Sequence, residues 1–349
     1  MNKLLLLLAI LSIEGFAITS FDRDITQSRV GGYMDTEWVS SDEANTFKAH
    51  RFILQVGSRI SDKVLFNSEI ELEYGGYITD EDVTATSDDV TNGEIKVEQA
   101  WVDYKTDAGI TLRSGIVLIP VGQLNIYHDS DMRAFTERPL VNKYIIPTTW
   151  MDTGIGVHGN LELGEIEFTY EGYLTNGFDD SDEYSTSTGT RSLRPNFKAD
   201  SDQKKSISGR VGVSPNLNTA FGLSTYQGSS EQALYALDGR YHVGALNIQG
   251  EFATYSDSYD NKANGYYVAA AYNIAPIISL SEELNILARY GNIDLQTDDS
   301  SAGETTRITI GLNYKPEKQL VYKVEYQINN EQDSSDEDNA IYASVAVGF

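Results

Sequence analysis

Residues 64–75 read VLFNSEIELEYG, and their apolar and polar side chains alternate without a break. One parity carries the apolar side chains, with Ser68 among them, and the other carries the polar ones: Phe66, Ile70, Leu72 and Tyr74 against Asn67, Glu69, Glu71 and Glu73. Successive side chains of a β-strand point to opposite faces, whereas a helix would spread these four polar residues around its circumference. The stretch therefore predicts a strand with one apolar face and one acidic face.

The same alternation recurs along the chain, so that about 16 strands are predicted. The clearest further segments are residues 47–60, 110–116, 166–174, 246–252, 308–314, 320–328 and 341–349. Weaker segments are residues 30–38, 95–104, 154–159, 207–213, 220–226, 233–243, 266–272 and 284–290. Parity breaks in residues 95–104 at Glu98 and Gln99, where a β-bulge would restore it.

The connections between these segments fall into two classes of length. Short turns rich in Gly, Pro, Asn and Asp occupy residues 61–63, 106–109, 161–164, 214–218, 243–245 and 316–318. Longer, mostly polar links occupy residues 76–92, 177–204, 256–264, 296–305 and 329–339. A soluble β-sandwich has no reason to sort its turns by side, whereas outer-membrane barrels have short periplasmic turns and long external loops. We therefore expect an all-β fold, a transmembrane antiparallel β-barrel with this arrangement of connections.

The composition is compatible with such a barrel. Mean hydropathy is only −0.33, but half of each barrel strand faces a polar lumen, which keeps the average low. The formal net charge of −26 excludes a nucleic-acid partner, because phosphates require patches of Lys and Arg. A chain of 349 residues without cysteine fits one large domain that passes through the periplasm.

Both ends of the chain carry signals for export. Lys3, an apolar stretch at residues 4–13 and the small residues Gly15 and Ala17 predict a signal peptide over residues 1–17, with the barrel at 18–349. Residues 340–349 end in Phe349, the aromatic residue that outer-membrane barrels present to their insertion machinery. This last strand should also pair with the first, near residues 30–38, because an open edge in lipid leaves backbone groups unsatisfied.

The predicted hairpin around residues 61–63 indicates which face of its two strands points into the barrel. In one register Phe52 faces Leu72, Leu54 faces Ile70 and Val56 faces Ser68, while Arg51 faces Glu73 and Gln55 faces Glu69. An Arg on the lipid side at mid-membrane costs about 2 to 4 kcal/mol. Arg51 and the glutamates are therefore expected to point into a water-filled lumen.

Residues 120–150 differ from the polar links. They contain many apolar side chains, stiffened by two prolines, Pro139 and Pro147: Leu124, Ile126, Tyr127, Met132, Phe135, Leu140, Tyr144, Ile145, Ile146 and Trp150. These groups need a surface to pack on, and a link of this length is usually functional. We expect the segment to fold into the barrel as a constriction loop that brings six residues towards the solute: His128, Asp129, Asp131, Arg133, Glu137 and Arg138. The alternative is an ordered external loop that helps subunits to pack.

Residues 97–159 resemble the core of the phosphate-selective porin O and P family. The similar pieces are the acidic-Ala-aromatic strand at 98–104, the spacing of Gly115, Pro120 and Gly122, and the Phe-x-Glu-Arg stretch at 135–138. Weaker similarity continues at residues 174–177, 288–290 and 311–314. The resemblance implies a 16-stranded porin, a homotrimer with a constriction loop in each pore, that allows passive diffusion of small hydrophilic solutes or ions.

The charges do not predict phosphate selectivity. In the loop, Arg133, Arg138 and Lys143 are balanced by Asp129, Asp131 and Glu137. The predicted pore wall mixes both signs: Arg51, Arg59, Glu69, Glu71, Glu73, Arg113, Glu167, Arg210, Glu251, Arg289 and Arg307. Because carboxylates along one strand face lie within a Debye length of each other, we expect weak cation preference or none.

No catalytic or cofactor motif accompanies the strand pattern. The four histidines are widely separated, no zinc-ligand spacing occurs, and no nucleophile elbow or phosphate-binding loop is present, so neither a cofactor nor enzymatic activity is expected. A barrel for adhesion or structural anchoring, with a plugged pore, remains an alternative, and a barrel enzyme is a further one. The expected partners are outer-membrane lipid, and lipopolysaccharide that shares divalent cations with the acidic external loops.

Overall fold

The computed structural model describes residues 17–21, 26–42, 44–76, 93–179, 184–195, 197, 203–296, 303–331 and 339–349. The predicted signal peptide lies almost wholly outside the described residues, and so do most of the polar links at 76–92, 296–305 and 329–339. No helix in the described part of the chain is long and apolar enough to cross a membrane.

The described residues form 17 strands. The first nine are β1 (Ala17–Phe21), β2 (Thr26–Ser40), β3 (Asn45–Arg59), β4 (Val64–Glu73), β5 (Glu94–Lys105), β6 (Thr111–Leu118), β7 (Met151–Leu163), β8 (Ile166–Thr175) and β9 (Ser206–Asn216). The others are β10 (Thr219–Gln227), β11 (Ala233–Val243), β12 (Leu246–Ser256), β13 (Lys262–Asn273), β14 (Glu283–Asp294), β15 (Glu304–Glu317), β16 (Leu320–Glu331) and β17 (Ala340–Gly348). Two short helices, α1 (Gln123–Ile126) and α2 (Leu140–Tyr144), and a 3₁₀ turn (Thr190–Leu193) complete the described elements.

Strands β2 to β17 close a 16-stranded antiparallel barrel in which each strand pairs with its neighbours in sequence. The last strand pairs with the first barrel strand from Ile341 opposite Ser40 to Gly348 opposite Tyr33. Gly32 and Phe349 exchange both backbone hydrogen bonds, at 3.1 and 2.9 Å. The short strand β1 pairs with the first residues of β2, from Ala17 opposite Val30 to Phe21 opposite Thr26.

The strand pattern predicted from the sequence is confirmed. Each of the 16 predicted segments coincides with one strand between β2 and β17. The β3–β4 register is the predicted one, with Phe52 opposite Leu72, Arg51 opposite Glu73 and Gln55 opposite Glu69. The predicted bulge also occurs, because Glu69 pairs with Gln99 but Ile70 pairs with Val97, which leaves Glu98 without an opposite residue.

The two faces of the wall are assigned by exposure. Glu69 and Glu71 are 1% and 0% exposed, whereas Phe52 and Phe66 on the alternate parity are 42% and 36% exposed. Acidic side chains therefore point into the barrel and apolar ones point out, as the sequence predicts.

The connections are sorted by side only in part. The link predicted at residues 256–264 is short, because β12 and β13 extend into it and leave only residues 257–261 between them. Short turns join β3 to β4, β5 to β6, β7 to β8, β9 to β10, β11 to β12 and β15 to β16 at one end, where only the β13–β14 link, residues 274–282, is longer. The longest links, including residues 119–150, all lie at the other end, although the links at residues 41–44, 228–232 and 257–261 there are short.

The assignment of the two faces predicts a large difference between neighbouring substitutions. Leu54→Arg places a guanidinium among the outward side chains of β3 and should lower the free energy of unfolding by about 2 to 4 kcal/mol. Gln55→Arg places the same group in the lumen opposite Glu69 and should lower the free energy of unfolding much less. Reversible denaturant unfolding in lipid vesicles measures both, and equal costs would contradict the assignment.

Candidate functional site: the loop inside the barrel

The link between β6 and β7, residues 119–150, leaves the wall and runs through the lumen. Its two ends are joined by Asn125, which is fully buried. The Asn125 amide donates to the carbonyls of Ile119 and Trp150 at 2.7 and 2.9 Å, and its oxygen accepts from the Trp150 backbone N–H at 2.7 Å. One side chain thus closes the neck of the loop.

The apolar part of the loop packs on the inner face of strands β10 to β14. Residues of α2 and the segment after it are fully buried there, among them Val141, Ile145 and Ile146. The wall contributes small, branched aliphatic and aromatic side chains to the same cluster: Tyr226, Leu234, Ala236, Ala253, Tyr255, Ala263, Tyr267, Ala269, Leu287 and Ile293. The predicted need for a packing surface is met for these residues, because strands β10 to β14 present apolar side chains over part of their inner face. Tyr127 and Met132 do not pack there and are 49% and 61% exposed.

Residues of the link between β8 and β9 cover this cluster on the side of the long links. The Trp150 ring stacks on Phe178 at 4.6 Å and meets the edge of Tyr226 at 4.8 Å. Gly189 lies so close to the end of α2 that a Cβ would come within 1.9 Å of the Tyr144 carbonyl oxygen. Only glycine permits this approach, and the 3₁₀ turn after it places Thr190 within hydrogen-bond distance of the Ile145 carbonyl, at 2.9 Å.

Two buried glutamates of the wall accept hydrogen bonds from the loop backbone. Glu251 on β12 accepts from the Leu124 N–H at 2.7 Å and from the Asn142 amide. Glu325 on β16 accepts from the N–H groups of Thr136 and Glu137 at 2.9 and 3.2 Å. A buried donor left unpaired costs about 1 to 3 kcal/mol, so these carboxylates fix the loop to the wall.

Cations of the wall bind carbonyl groups of the same loop. Arg289 donates to the Glu137 carbonyl at 2.8 Å, and its guanidinium lies 4.4 Å from the centre of the Phe135 ring. Lys323 donates to the Ser130 carbonyl, and the Asn313 amide donates to Ala134 at 2.9 Å. Wall side chains of both signs therefore hold the loop.

The opposite part of the wall, β2 to β5, carries a dense ion-pair network. Arg51 lies 3.0 Å from Glu71 and 2.9 Å from Glu73, and Lys96 also contacts Glu71. His50 lies 2.9 Å from Asp35 and 3.0 Å from Glu37 across the β2–β3 pair. The charged side of the lumen thus faces the loop from the side opposite the apolar wall.

The six residues predicted for the constriction do not lie at one point. His128 and Arg133 are only 2% and 8% exposed, and Arg133 donates to the Thr136 carbonyl of its own loop at 2.8 Å. Arg138 bonds the Thr148 carbonyl and the Thr149 hydroxyl. Asp129, Asp131 and Glu137 are half-buried. The structure therefore places these side chains on and within the loop, some of them as its internal supports.

The predicted pore-wall residues all have the parity of the inner face. Several are paired: Arg113 with Asp103 at 2.7 Å, Arg210 with Asp238 at 2.6 Å, and Arg307 with Asn329 at 2.5 Å. Glu167 is half-buried and lies 3.4 Å from the Asn160 amide, while Arg59 is exposed at the end of β3. The predicted insertion residue Phe349 is 48% exposed and stacks on Phe52, with ring centres 5.9 Å apart.

Asp131 and His128 are among the loop groups whose pKa values are shifted. Burial, together with the charge of Asp129, raises the pKa of Asp131 to about 6. Burial would lower the pKa of His128, but the adjacent carboxylate of Glu98 outweighs it and raises that pKa above its ordinary value. Lowering the pH from about 7 to 5 therefore protonates Asp131 and removes negative charge from the loop.

Beneath the loop, towards the short-turn end, lies a cavity of about 540 Å³. Tyr127 and Met132 line it from the loop, and the wall contributes mostly polar side chains: Arg240, His242, Asn247, Gln249, Asn285, Asn313 and Lys315. The lumen on this side of the loop is thus a polar vestibule.

Sequence reasoning missed Asn125, Asn142 and Glu98 as structural residues of the site. Asn125 and Asn142 lie within apolar stretches of the sequence. An amide in such a stretch indicates a buried, hydrogen-bonded side chain, because a buried amide needs partners. Glu98 was placed at the bulge, but its full burial beside the loop depends on the tertiary fold.

Comparisons with known proteins agree with this architecture. A model of the phosphate-selective porin O and P family matches residues 27–347. An uncharacterized protein of Aquifex aeolicus strain VF5 is 26% identical, over 88% of this chain and 77% of that protein.

Solved structures show the same fold at low sequence identity. The anion-selective porin from Comamonas acidovorans superposes with a TM-score of 0.60 at 14% identity, over 93% of this chain and 100% of that chain. OmpT of Vibrio cholerae, an outer-membrane protein in its trimer form, gives 0.59 at 13% identity over the same shares of the two chains.

Proposed function

Because the chain belongs to the phosphate-selective porin O and P family, we propose that residues 119–150 form the constriction of its diffusion channel. Family membership makes the protein an outer-membrane channel for passive diffusion, and it agrees with the expectation that the protein is not an enzyme. The proposal concerns where the pore is narrowed and which solutes pass.

The observation that carries the proposal is that the loop bridges the lumen. His128 contacts Glu98 on β5, and Leu124 contacts Glu251 on β12. These two strands are seven positions apart in a ring of 16, so they lie on nearly opposite walls. A segment attached to both walls must narrow the open cross-section between the mouth and the vestibule.

Within this loop we assign different roles to the six predicted residues. Asp129, Asp131, Glu137 and Arg138 are partly exposed, and they are the groups that a passing solute would meet. His128 and Arg133 are buried, and they act by holding the backbone of the loop in place.

The paired arginines support weak cation preference or none. A wall that selects phosphate would present free guanidinium or ammonium groups. Among the described residues Arg51, Arg113 and Arg210 are each paired with carboxylates. Arg289 and Arg307 are bound to a loop carbonyl and an amide oxygen. The positive charge of the first three is therefore offset by carboxylates, and small hydrophilic solutes or ions of either sign are the expected cargo.

We also propose that the channel is a homotrimer. The family resemblance supports this assembly, and the similar Vibrio cholerae protein was solved as a trimer. Binding of outer-membrane lipid and of lipopolysaccharide through cations at the acidic loops is part of the same proposal. The mass of the purified protein in detergent distinguishes one copy from three.

Ion selectivity tests the charge argument. In a potassium chloride gradient across a planar bilayer, the cation-to-anion permeability ratio should lie at about 1 to 3, because the loop charges of both signs roughly balance and three of the wall arginines are paired with carboxylates. Added phosphate should leave the chloride current unchanged. A strong anion preference, or block by phosphate, would show that the pore selects anions.

Shortening the loop tests the constriction. Replacing residues 129–137 with a short Gly-Ser linker should increase the single-channel conductance, because the part of the loop bound to β16 is removed. The matched control replaces the same number of residues within the polar link 77–92 and should leave the conductance near that of the parent protein. Unchanged conductance in the loop variant would place the narrowest point elsewhere.

A further inference from the structure

Three side chains from three segments of the chain meet where the loop touches the β4–β5 wall. Glu69 lies on β4, Glu98 on β5 and His128 in the loop. One carboxylate oxygen of each glutamate and one ring nitrogen of His128 all lie within 4.8 Å of one another. The three residues are 1%, 0% and 2% exposed.

The β-bulge creates this meeting. Because Glu98 has no opposite residue on β4, Glu98 and Gln99 can both direct their side chains towards the lumen. The Gln99 amide then donates to Glu69 Oε2 at 2.6 Å and orients that carboxylate. Without the extra residue, one of these two side chains would face lipid.

The orientation of His128 leaves one nitrogen available to a cation. Its Nδ1 lies 3.0 Å from the Asn125 carbonyl, which can only accept, so Nδ1 donates. In the neutral ring Nε2 then carries the lone pair, and it points at Glu98 Oε2 and Asp129 Oδ1 at 3.5 and 3.7 Å. The second ring nitrogen of a metal-binding histidine usually donates to a carboxylate, a backbone carbonyl or water, as Nδ1 of His128 does here.

These separations suit ligands around a common ion. Nitrogen and oxygen ligands about 2.1 Å from a tetrahedral metal lie about 3.4 Å from each other. A good N–H···O hydrogen bond would bring the atoms to about 2.9 Å. The spacing around His128 Nε2 therefore fits a shared metal better than direct hydrogen bonds.

An unpartnered oxygen points to the same conclusion. Glu69 Oε1 is buried and has no hydrogen-bond partner among the residues that the structure describes. The carboxylates of Glu69 and Glu98 lie at the site, and Asp129 Oδ1 lies 3.7 Å from His128 Nε2. The nearest ammonium group, Lys96, lies 3.9 Å from Glu98 and also contacts Glu71. A buried carboxylate of this kind needs a cation or a proton.

We propose that Glu69, Glu98 and His128 bind a divalent transition-metal ion, with Asp129 as a fourth ligand, and that this ion ties the loop to the wall. One imidazole with carboxylates suits Zn²⁺ and related ions rather than Mg²⁺ or Ca²⁺. Asp129, whose side chain is 22% exposed, gives the ion a path from the lumen. The spacing of residues along the sequence does not reveal this site, because its ligands come from three separate segments of the chain.

A second cluster, Asp35, Glu37 and His50, provides a matched control. Its residues satisfy the same proximity criterion. However, His50 Nδ1 lies 2.9 and 3.0 Å from the two carboxylates, which are hydrogen-bond distances. We therefore assign this cluster to direct pairing.

Calorimetric titration of Zn²⁺ into the purified full chain in detergent, after treatment with a chelator, tests the proposal. One Zn²⁺ per chain should bind, and Glu69→Gln and His128→Gln should each weaken that binding at least about 100-fold. Glu37→Gln, in the control cluster, should leave it unchanged. Equal affinity in all four proteins, or no stoichiometric binding, would overturn the site.

A measurement on the unaltered protein covers the case in which a variant does not fold. Co²⁺ bound at a four-coordinate site with a nitrogen ligand absorbs strongly in the visible range. Added Zn²⁺ should displace the Co²⁺ ion, and the absorption should then disappear. A weak, octahedral-type spectrum would overturn the proposal. Conductance of the metal-free protein is recorded separately, so loss of the metal site and loss of the constriction are distinguishable.

Discussion

The pairing of β17 with β2 is the constraint on which the other features depend. In lipid, each unpaired backbone group of an open edge would cost several kcal/mol, so the strands must close. Closure gives every strand one face towards lipid and one towards the lumen, and this is why the acidic parity of β4 can be fully buried without entering lipid. The lumen then becomes the only place where a long, partly apolar link can be both inside the molecule and next to water.

The inner wall is divided in a way that matches the loop. Strands β10 to β14 present small, branched aliphatic and aromatic side chains beneath α2, whereas β2 to β5 present ion pairs. The apolar side of the loop packs on the first half, and the loop reaches the second half through His128. Glu251, on β12 within the first part, and Glu325, on β16 between the two parts, pair with backbone N–H groups that would otherwise be unsatisfied inside the barrel. The loop is therefore held by complementary halves of one wall.

Much of the fold could be predicted because strands have a strict period of two. The β3–β4 register followed from it, since a shift by one residue would have moved Arg51 and the glutamates to the lipid face. The site could be predicted only in outline. Sequence parity can assign Tyr226 and Tyr255 to one face of their strands, but it cannot show that they lie beneath the loop. The burial of Arg133 by its own loop, and the meeting of Glu69, Glu98 and His128, depend on tertiary contacts that no local pattern encodes.

The central claim is that residues 119–150 lie inside the barrel and are bound to its wall. The Thr136 and Ser344 hydroxyl oxygens are 2.8 Å apart, and the chain has no cysteine of its own. The double variant Thr136→Cys and Ser344→Cys should therefore form an intramolecular disulfide in the folded, membrane-inserted protein under mild oxidation. Mass spectrometry of peptides from oxidised and reduced samples detects this bond. Complete formation supports the account, and two free thiols in a correctly folded barrel would contradict it.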